Sequence, residues 1–177
     1  ICSLDFYKEI VPYAKKHDII LLSDLAYAEI YFDENEIPAS ILEVEGAKDI
    51  AVEFTSLSKS FSMPGWRMGF AVGNEYLISA LTRIKSYLDY GAFTPIQVAS
   101  AAALNSEKSI IDEIRNVYKA RRDVLVESFS RSGWDVPSPK ATMFAWSPLP
   151  DKYKNLSSLE FSKILLEEAD IAVSPGI

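Results

Sequence analysis

The sequence predicts an α/β fold, on three observations. A continuous apolar run, Ile19-Ile20-Leu21-Leu22, follows a helical pattern, as a strand buried on both faces of a parallel sheet does. Two further strand candidates follow, Ala51-Val52-Glu53-Phe54-Thr55 and Met68-Gly69-Phe70-Ala71-Val72-Gly73. A long helical pattern over residues 106–132 then gives way to short strands, proline-rich turns and one more helix. That order describes an α/β domain whose long helix hands over to a second, smaller domain.

Each element has a local cause. Ser3 can cap a first helix reaching about His17, with Phe6, Ile10, Val11 and Ala14 on one face and Pro12 as a weak point. The acidic stretch 33–46, broken by Pro38, reads as loop with a short turn. Asn74 can cap a helix whose face is Leu77, Ile78, Leu81, Ile84 and Leu88, with Gly91 placed to end it. Thr94-Pro95 reads as an N-cap followed by proline at the first helical position of a small-residue helix to Leu104. The long helix shows a stripe of Ile110, Ile111, Ile114, Val117, Tyr118 and Leu125, and ends at Gly133. Ser157-Ser158-Leu159-Glu160 is a capping box for a last helix with Leu159, Phe161, Ile164 and Leu165 as its stripe. Ile171-Ala172-Val173 is a final strand candidate.

Composition excludes several function classes. The 177 residues carry 18 Lys and Arg against 25 Asp and Glu, a net charge of −7, so a broad nucleic-acid or anionic-membrane surface is not expected. The cluster Arg115, Lys119, Arg121 and Arg122 reads as the solvated face of the long helix. One cysteine, Cys2, cannot form an internal disulfide, which favours a reducing, cytoplasmic compartment. One histidine, His17, cannot supply a multi-histidine zinc site, and no metal site is expected. No apolar run approaches the roughly 20 residues that cross a bilayer.

The chemistry concentrates in two places. The first is Thr55-Ser56-Leu57-Ser58-Lys59-Ser60-Phe61-Ser62-Met63-Pro64-Gly65-Trp66-Arg67-Met68-Gly69. Lys59 follows a buried strand, where desolvation can free its amine as a nucleophile. Ser56 and Ser58, alternating on the strand, can face one oxyanion while Leu57 faces the core. Arg67 is a planar fork suited to a phosphate. The second is Leu22-Ser23-Asp24-Leu25-Ala26-Tyr27, which sets a carboxylate and a phenol near another strand end. Ligands of open α/β sheets bind outside such carboxyl ends. A carboxylate, a phenol, a lysine and a phosphate cradle match pyridoxal 5′-phosphate, with its ring nitrogen, 3-oxygen, aldehyde and phosphate. The run Tyr27, Tyr31 and Phe32 reads as core or subunit contact.

These two motifs, in this order, resemble those of the fold-type I, pyridoxal-phosphate-dependent aminotransferases of class I/II. Ala47-Lys48-Asp49-Ile50-Ala51-Val52-Glu53-Phe54, Arg83-Ile84-Lys85-Ser86-Tyr87 and residues 169–176 look like the bacterial alanine (glutamate–pyruvate) transaminases. LL-diaminopimelate and aspartate aminotransferases are close relatives. The resemblance implies a three-layer fold. Residues 1–115 would belong to the C-terminal half of its large cofactor domain. Residues 116–177 would hold a connecting helix and the start of a small α+β domain.

By the same resemblance Lys59 would form the aldimine, Asp24 would hold the pyridinium proton and Tyr27 would bind the 3-oxygen. Ser56, Ser58 and Arg67 would bind the phosphate, with Gly65 and Gly69 permitting the turn and close approach that aim Arg67. It further implies a homodimer acting on a small amino acid and a 2-oxo acid, with alanine and glutamate favoured. Residues 90–94 resemble a segment that reaches a neighbouring subunit. The alternatives are the aspartate or LL-diaminopimelate reaction, C–S lysis, or a ligand-sensing domain of a transcription regulator. The chain reads as a slice lying between the family's glycine-rich phosphate loop and its carboxylate-gripping arginine. Activity is therefore not implied for the slice alone.

Overall fold

A computed structural model describes residues 1–177. Helix α1, Leu4–Lys16, begins where Ser3 Oγ accepts a hydrogen bond from Phe6 N (3.2 Å), and it runs through Pro12. Its buried residues are Tyr7, Val11 and Ala14, spaced i, i+4, i+7. Phe6, expected on that face, is exposed; Tyr7 takes its place because its hydroxyl also reaches Ser23 Oγ (3.3 Å).

Strands β1 (Leu21–Asp24), β2 (Ala51–Ser56) and β3 (Gly69–Gly73) form one sheet in that order. β1 runs parallel to β2, and β3 runs antiparallel to it. The core below the sheet joins Tyr7 and Val11 to Ile41, Ala47 and Ala51. Ile41 opens a 3-10 turn, Ile41–Glu43, held by a capping box between Ser40 and Glu43. The expectation that the run 19–22 is buried on both faces is corrected. Leu22 is 70% exposed and Ile19 and Ile20 are also open, whereas Ser23 is buried. Side chains alternate across a strand; the face that carries Ser23 meets Tyr7 of α1, and the face that carries Leu22 is open.

One buried carboxylate ties these pieces together. Glu53 accepts hydrogen bonds from Ser40 Oγ (2.7 Å), Ile41 N (3.0 Å) and Ser23 Oγ (3.2 Å). The Tyr7 phenol beside this network is pushed up from its ordinary value, chiefly by burial; its hydrogen bond with Ser23 acts the other way.

After β2 the chain makes one helical turn, α2 (Leu57–Ser60), then a 3-10 turn, Pro64–Trp66, and enters β3. Helix α3, Glu75–Leu88, is capped by Asn74 Oδ1, which accepts from Leu77 N (3.0 Å). Helix α4, Thr94–Leu104, is capped by Phe93 with no side-chain bond, so Thr94 is its first residue and not its cap. Helix α5 spans Lys108–Arg131. Its expected apolar stripe is largely open at Ile110, Val117 and Leu125, while Arg115 is buried at 6% exposure. The assignment of Arg115 to a solvated face is thereby corrected. It is enclosed because carboxylates and the Tyr31 ring satisfy its charge and its flat face. No helix is long and apolar enough to cross a membrane.

The chain divides into two compact units. One is residues 1–119 with 140–142, and the other is residues 120–139 with 143–177. In the first, Tyr31 bridges Ala141, and Phe32 N donates to Lys140 O (3.0 Å). The second is built on aromatic packing. Trp134 stacks edge-on against Phe129 (4.8 Å) and Phe161 (5.4 Å), and Tyr153 lies against Phe161 (4.9 Å). Its helix α6, Ser158–Ala169, starts with the capping box of Ser157 and Glu160. Leu159, expected on the α6 stripe, is exposed, and Phe161 carries the packing. Residues 171–173 and the rest of the segment after Gly133 contain no strand beyond the single bridge to Tyr31, because no neighbouring extended segment pairs with them.

Two outcomes test this packing. Ile41→Ala removes a side chain that is 2% exposed and lowers unfolding free energy by about 2–5 kcal/mol in urea titration. Glu160 is held below the usual carboxylate range by the backbone N–H and the hydroxyl of Ser157. A carboxyl with a depressed folded value contributes stability above its unfolded value and loses it as pH falls through the folded one. Glu160→Ala therefore flattens the acid limb of a plot of Tm against pH.

Candidate active site

The sheet topology gathers the predicted residues at one edge. β1 and β2 are parallel, so their carboxyl ends coincide, and antiparallel β3 begins at the same edge. Asp24 ends β1 and Ser56 ends β2; Lys59 lies in the turn that follows, and Arg67 stands just before β3. The register places Asp24 beside Phe54 and Ser56 beside Gly69. The segment after β1 stays on this edge because Leu25 N donates to Phe54 O (2.8 Å).

Lys59 and Tyr27 meet directly. The Lys59 ammonium lies 5.6 Å from the centre of the Tyr27 ring, within cation–π range, and both side chains are half-buried. Leu57 explains this placement. At 1% exposure it anchors α2, and its N–H donates to Met68 O (3.2 Å), tying the lysine turn to the start of β3.

The expected strand alternation of Ser56 and Ser58 is corrected. The strand ends at Ser56, whose Oγ accepts from Ser58 N (3.1 Å) as the N-cap of α2. Ser58 is therefore on a helical turn, with its N–H already engaged. Burial of Leu57 and this cap together favour the turn over a longer strand.

Asp24 is exposed, and its Oδ1 accepts from Ala26 N (3.2 Å) in an Asx turn. The anticipated desolvation of this carboxylate is not met within the chain. Arg67 is also exposed and adopts a left-handed backbone (φ 52°), with Nη1 donating to Pro64 O (3.0 Å). Left-handed non-glycine residues are uncommon and cluster at functional turns. Gly69 is needed by close approach, since a Cβ there would come 2.6 Å from Thr55 O. Gly65 is not, because nothing lies within 4 Å of a Cβ added there.

Two groups near this edge escape motif reading. Glu53 signals itself only as a charge within an apolar strand. Arg115, far along the chain, reaches the loop after β1, where its Nε donates to Glu29 O (3.0 Å). Nothing local to residues 108–131 announces that contact.

The chain is 67% identical over 177 residues to AatC of Rhizobium meliloti, covering 100% of this chain and 44% of that protein. It is 52% identical over 174 residues to the glutamate-pyruvate aminotransferase AlaC of Escherichia coli, covering 98% and 42%. It is 43% identical over 177 residues to LL-diaminopimelate aminotransferase 2 of Trichormus variabilis, covering 100% and 44%. Among solved structures, apo BacF from Bacillus subtilis superposes with a TM-score of 0.92 at 37% identity, over 99% of this chain and 44% of that one. The chain thus spans less than half the length of the relatives it matches. The fold is that of the fold-type I aminotransferases. The family model described as aminotransferase class I and II matches residues 1–177, edge cluster included, and the chain belongs to that family.

Proposed function

We propose that this chain carries the cofactor-binding edge of a pyridoxal-phosphate-dependent aminotransferase. The observation that supports this most is the Lys59 amine held over the Tyr27 ring, at a sheet edge that also carries Asp24, Ser56 and Arg67. The donor set fits the group: a carboxylate for the ring nitrogen, a phenol for the 3-oxygen, an amine for the aldehyde, hydroxyls and a guanidinium for the phosphate. Pyridoxal phosphate, when bound, supplies an aldehyde that condenses with amines and a ring that takes up the electron pair left at a substrate α-carbon.

The protein's residues do the rest. Asp24 holds the proton on the ring nitrogen. Tyr27 donates to the 3-oxygen. Lys59 would hold the cofactor through Nζ, and the same amine would take up and return a proton at the substrate α-carbon. Ser56, Ser58 and Arg67 bind the phosphate. Residues 1–115 belong to the large cofactor domain and 116–177 to the connecting helix and small domain. The substrates we favour are alanine and glutamate with their 2-oxo acids, on the strength of the 52% identity to AlaC. LL-diaminopimelate is the second candidate, on the 43% relative. A homodimer completes the proposal, supported by Tyr76, Tyr87, Tyr90 and Phe93, which are open to solvent within this chain.

Full-length protein mixed with pyridoxal phosphate should develop a visible absorption band. Borohydride reduction should then fix the added mass on the peptide containing Lys59. Lys59→Ala should abolish both; a band that persists, with mass fixed elsewhere, refutes the role of Lys59. Arg67→Ala should weaken cofactor binding about 10- to 100-fold by equilibrium titration, the loss expected for a charge-assisted hydrogen bond. L-Alanine should bleach the band and release pyruvate. Bleaching by LL-diaminopimelate but not by alanine would shift the assignment to the second candidate.

A further inference from the structure

Tyr27 sits in a segment, residues 25–30, that contains turns but no helix or strand. Such a segment positions a side chain only if both of its ends are fastened. The first end is fastened by Leu25 N on Phe54 O. Within the segment, Ile30 N donates to Tyr27 O (3.0 Å), closing a turn around Ala28 and Glu29.

Arg115 fastens that turn from α5. Its Nε donates to the backbone carbonyl of Glu29 (3.0 Å), and its Nη2 reaches the Glu29 carboxylate (3.3 Å). Nη1 donates to Asp112 Oδ1 (2.8 Å) and lies 3.5 Å from Glu34 Oε1. The guanidinium carbon stands 3.7 Å from the centre of the Tyr31 ring. Every edge of the fork is used and one face is stacked, so the group has little freedom to move. The bond to the Glu29 carbonyl matters most here. It addresses the backbone of the Tyr27 turn itself, where a surface ion pair would restrain only a side chain.

We propose that Arg115 is a positioning residue for Tyr27: by clamping the turn at Glu29 it holds the phenol ring beside Lys59 Nζ. This rests on the roles proposed above for Tyr27 and Lys59. Arg115 touches neither of them and acts through the backbone. Lysine is a poor replacement, because an ammonium has no planar fork to take the Glu29 carbonyl and carboxylate side by side and no flat face to lay on the Tyr31 ring.

The test uses full-length protein as wild type, Arg115→Met, Arg115→Lys, Tyr27→Phe and the double variant Tyr27→Phe with Arg115→Met. Two quantities are read. One is the pH midpoint of the visible absorbance with pyridoxal phosphate bound; the other is amide hydrogen exchange without the cofactor. Arg115→Met should move the midpoint in the same direction as Tyr27→Phe, by about half a pH unit or more. In the double variant the midpoint should match that of Tyr27→Phe alone, and Arg115→Lys should fall between wild type and Arg115→Met. The Ile30 amide should exchange about tenfold faster in Arg115→Met while the β2 amides keep their protection. Should Arg115→Met not fold, Arg115→Lys carries the same comparison.

An unchanged midpoint in the Arg115 variants, with Tyr27→Phe shifted, overturns the proposal. So do shifts that simply add in the double variant, or exchange that accelerates uniformly across the chain. A midpoint for Tyr27→Phe equal to that of wild type overturns the earlier assignment of Tyr27, and this one with it.

Discussion

The pairing of β2 on both sides is the constraint on which the candidate site depends. A parallel neighbour and an antiparallel one bring two strand ends and one strand start to a single edge. Because β1 and β2 run in one direction and β3 in the other, Asp24, Lys59 and Arg67 all lie at the same end of the sheet. Glu53 keeps β2 in place. A carboxylate taken out of water is costly unless hydrogen-bonded, and here β1, the Ser40 loop and the Ile41 turn each contribute a donor. In this register all three donors reach the one carboxylate, whereas an aliphatic side chain would leave each of them without this partner.

The same logic of polar contacts within an apolar frame recurs around α5. Arg115 is enclosed by groups from its own helix and from the loop after β1, and burial holds the Tyr31 phenol above its ordinary value while the nearby guanidinium opposes that shift. Helix and loop are distant in sequence, with 86 positions between Arg115 and Glu29, so the contact fixes one segment against the other without help from chain connectivity.

Features encoded within a few residues were legible in the sequence. The Ser3 and Asn74 caps and the Ser157–Glu160 box depend only on neighbours three positions away, and all three form as expected. The strand candidates at 51–55 and 68–73 were legible because short apolar runs were bounded by polar or glycine-containing turns. The types and order of the edge residues were legible too, since motif spacing carries them. Burial was not. Leu22, Ile110 and Val117 are apolar by composition but exposed, because apolarity does not say which neighbours exist. Period-two alternation cannot show where a strand yields to a cap, so it sets Ser58 on the strand. The partners of Arg115 lie far away in the chain, so the pattern of its own helix points it to solvent.

Ser56 illustrates a further consequence of that strand-to-helix switch. One of its two oxygen lone pairs accepts from Ser58 N, and its hydrogen is the group suited to an incoming anion. In the proposed site the one hydroxyl would face two ways, as acceptor towards its own backbone and as donor towards an anion. Threonine preserves both polarities. Aspartate would keep the turn intact yet present like charge to a phosphate. Asparagine could cap through its carbonyl oxygen, which leaves its amide, a donor, facing outward. Tolerance at position 56 is therefore set by the sign of the group left facing outward and not by the stability of the turn.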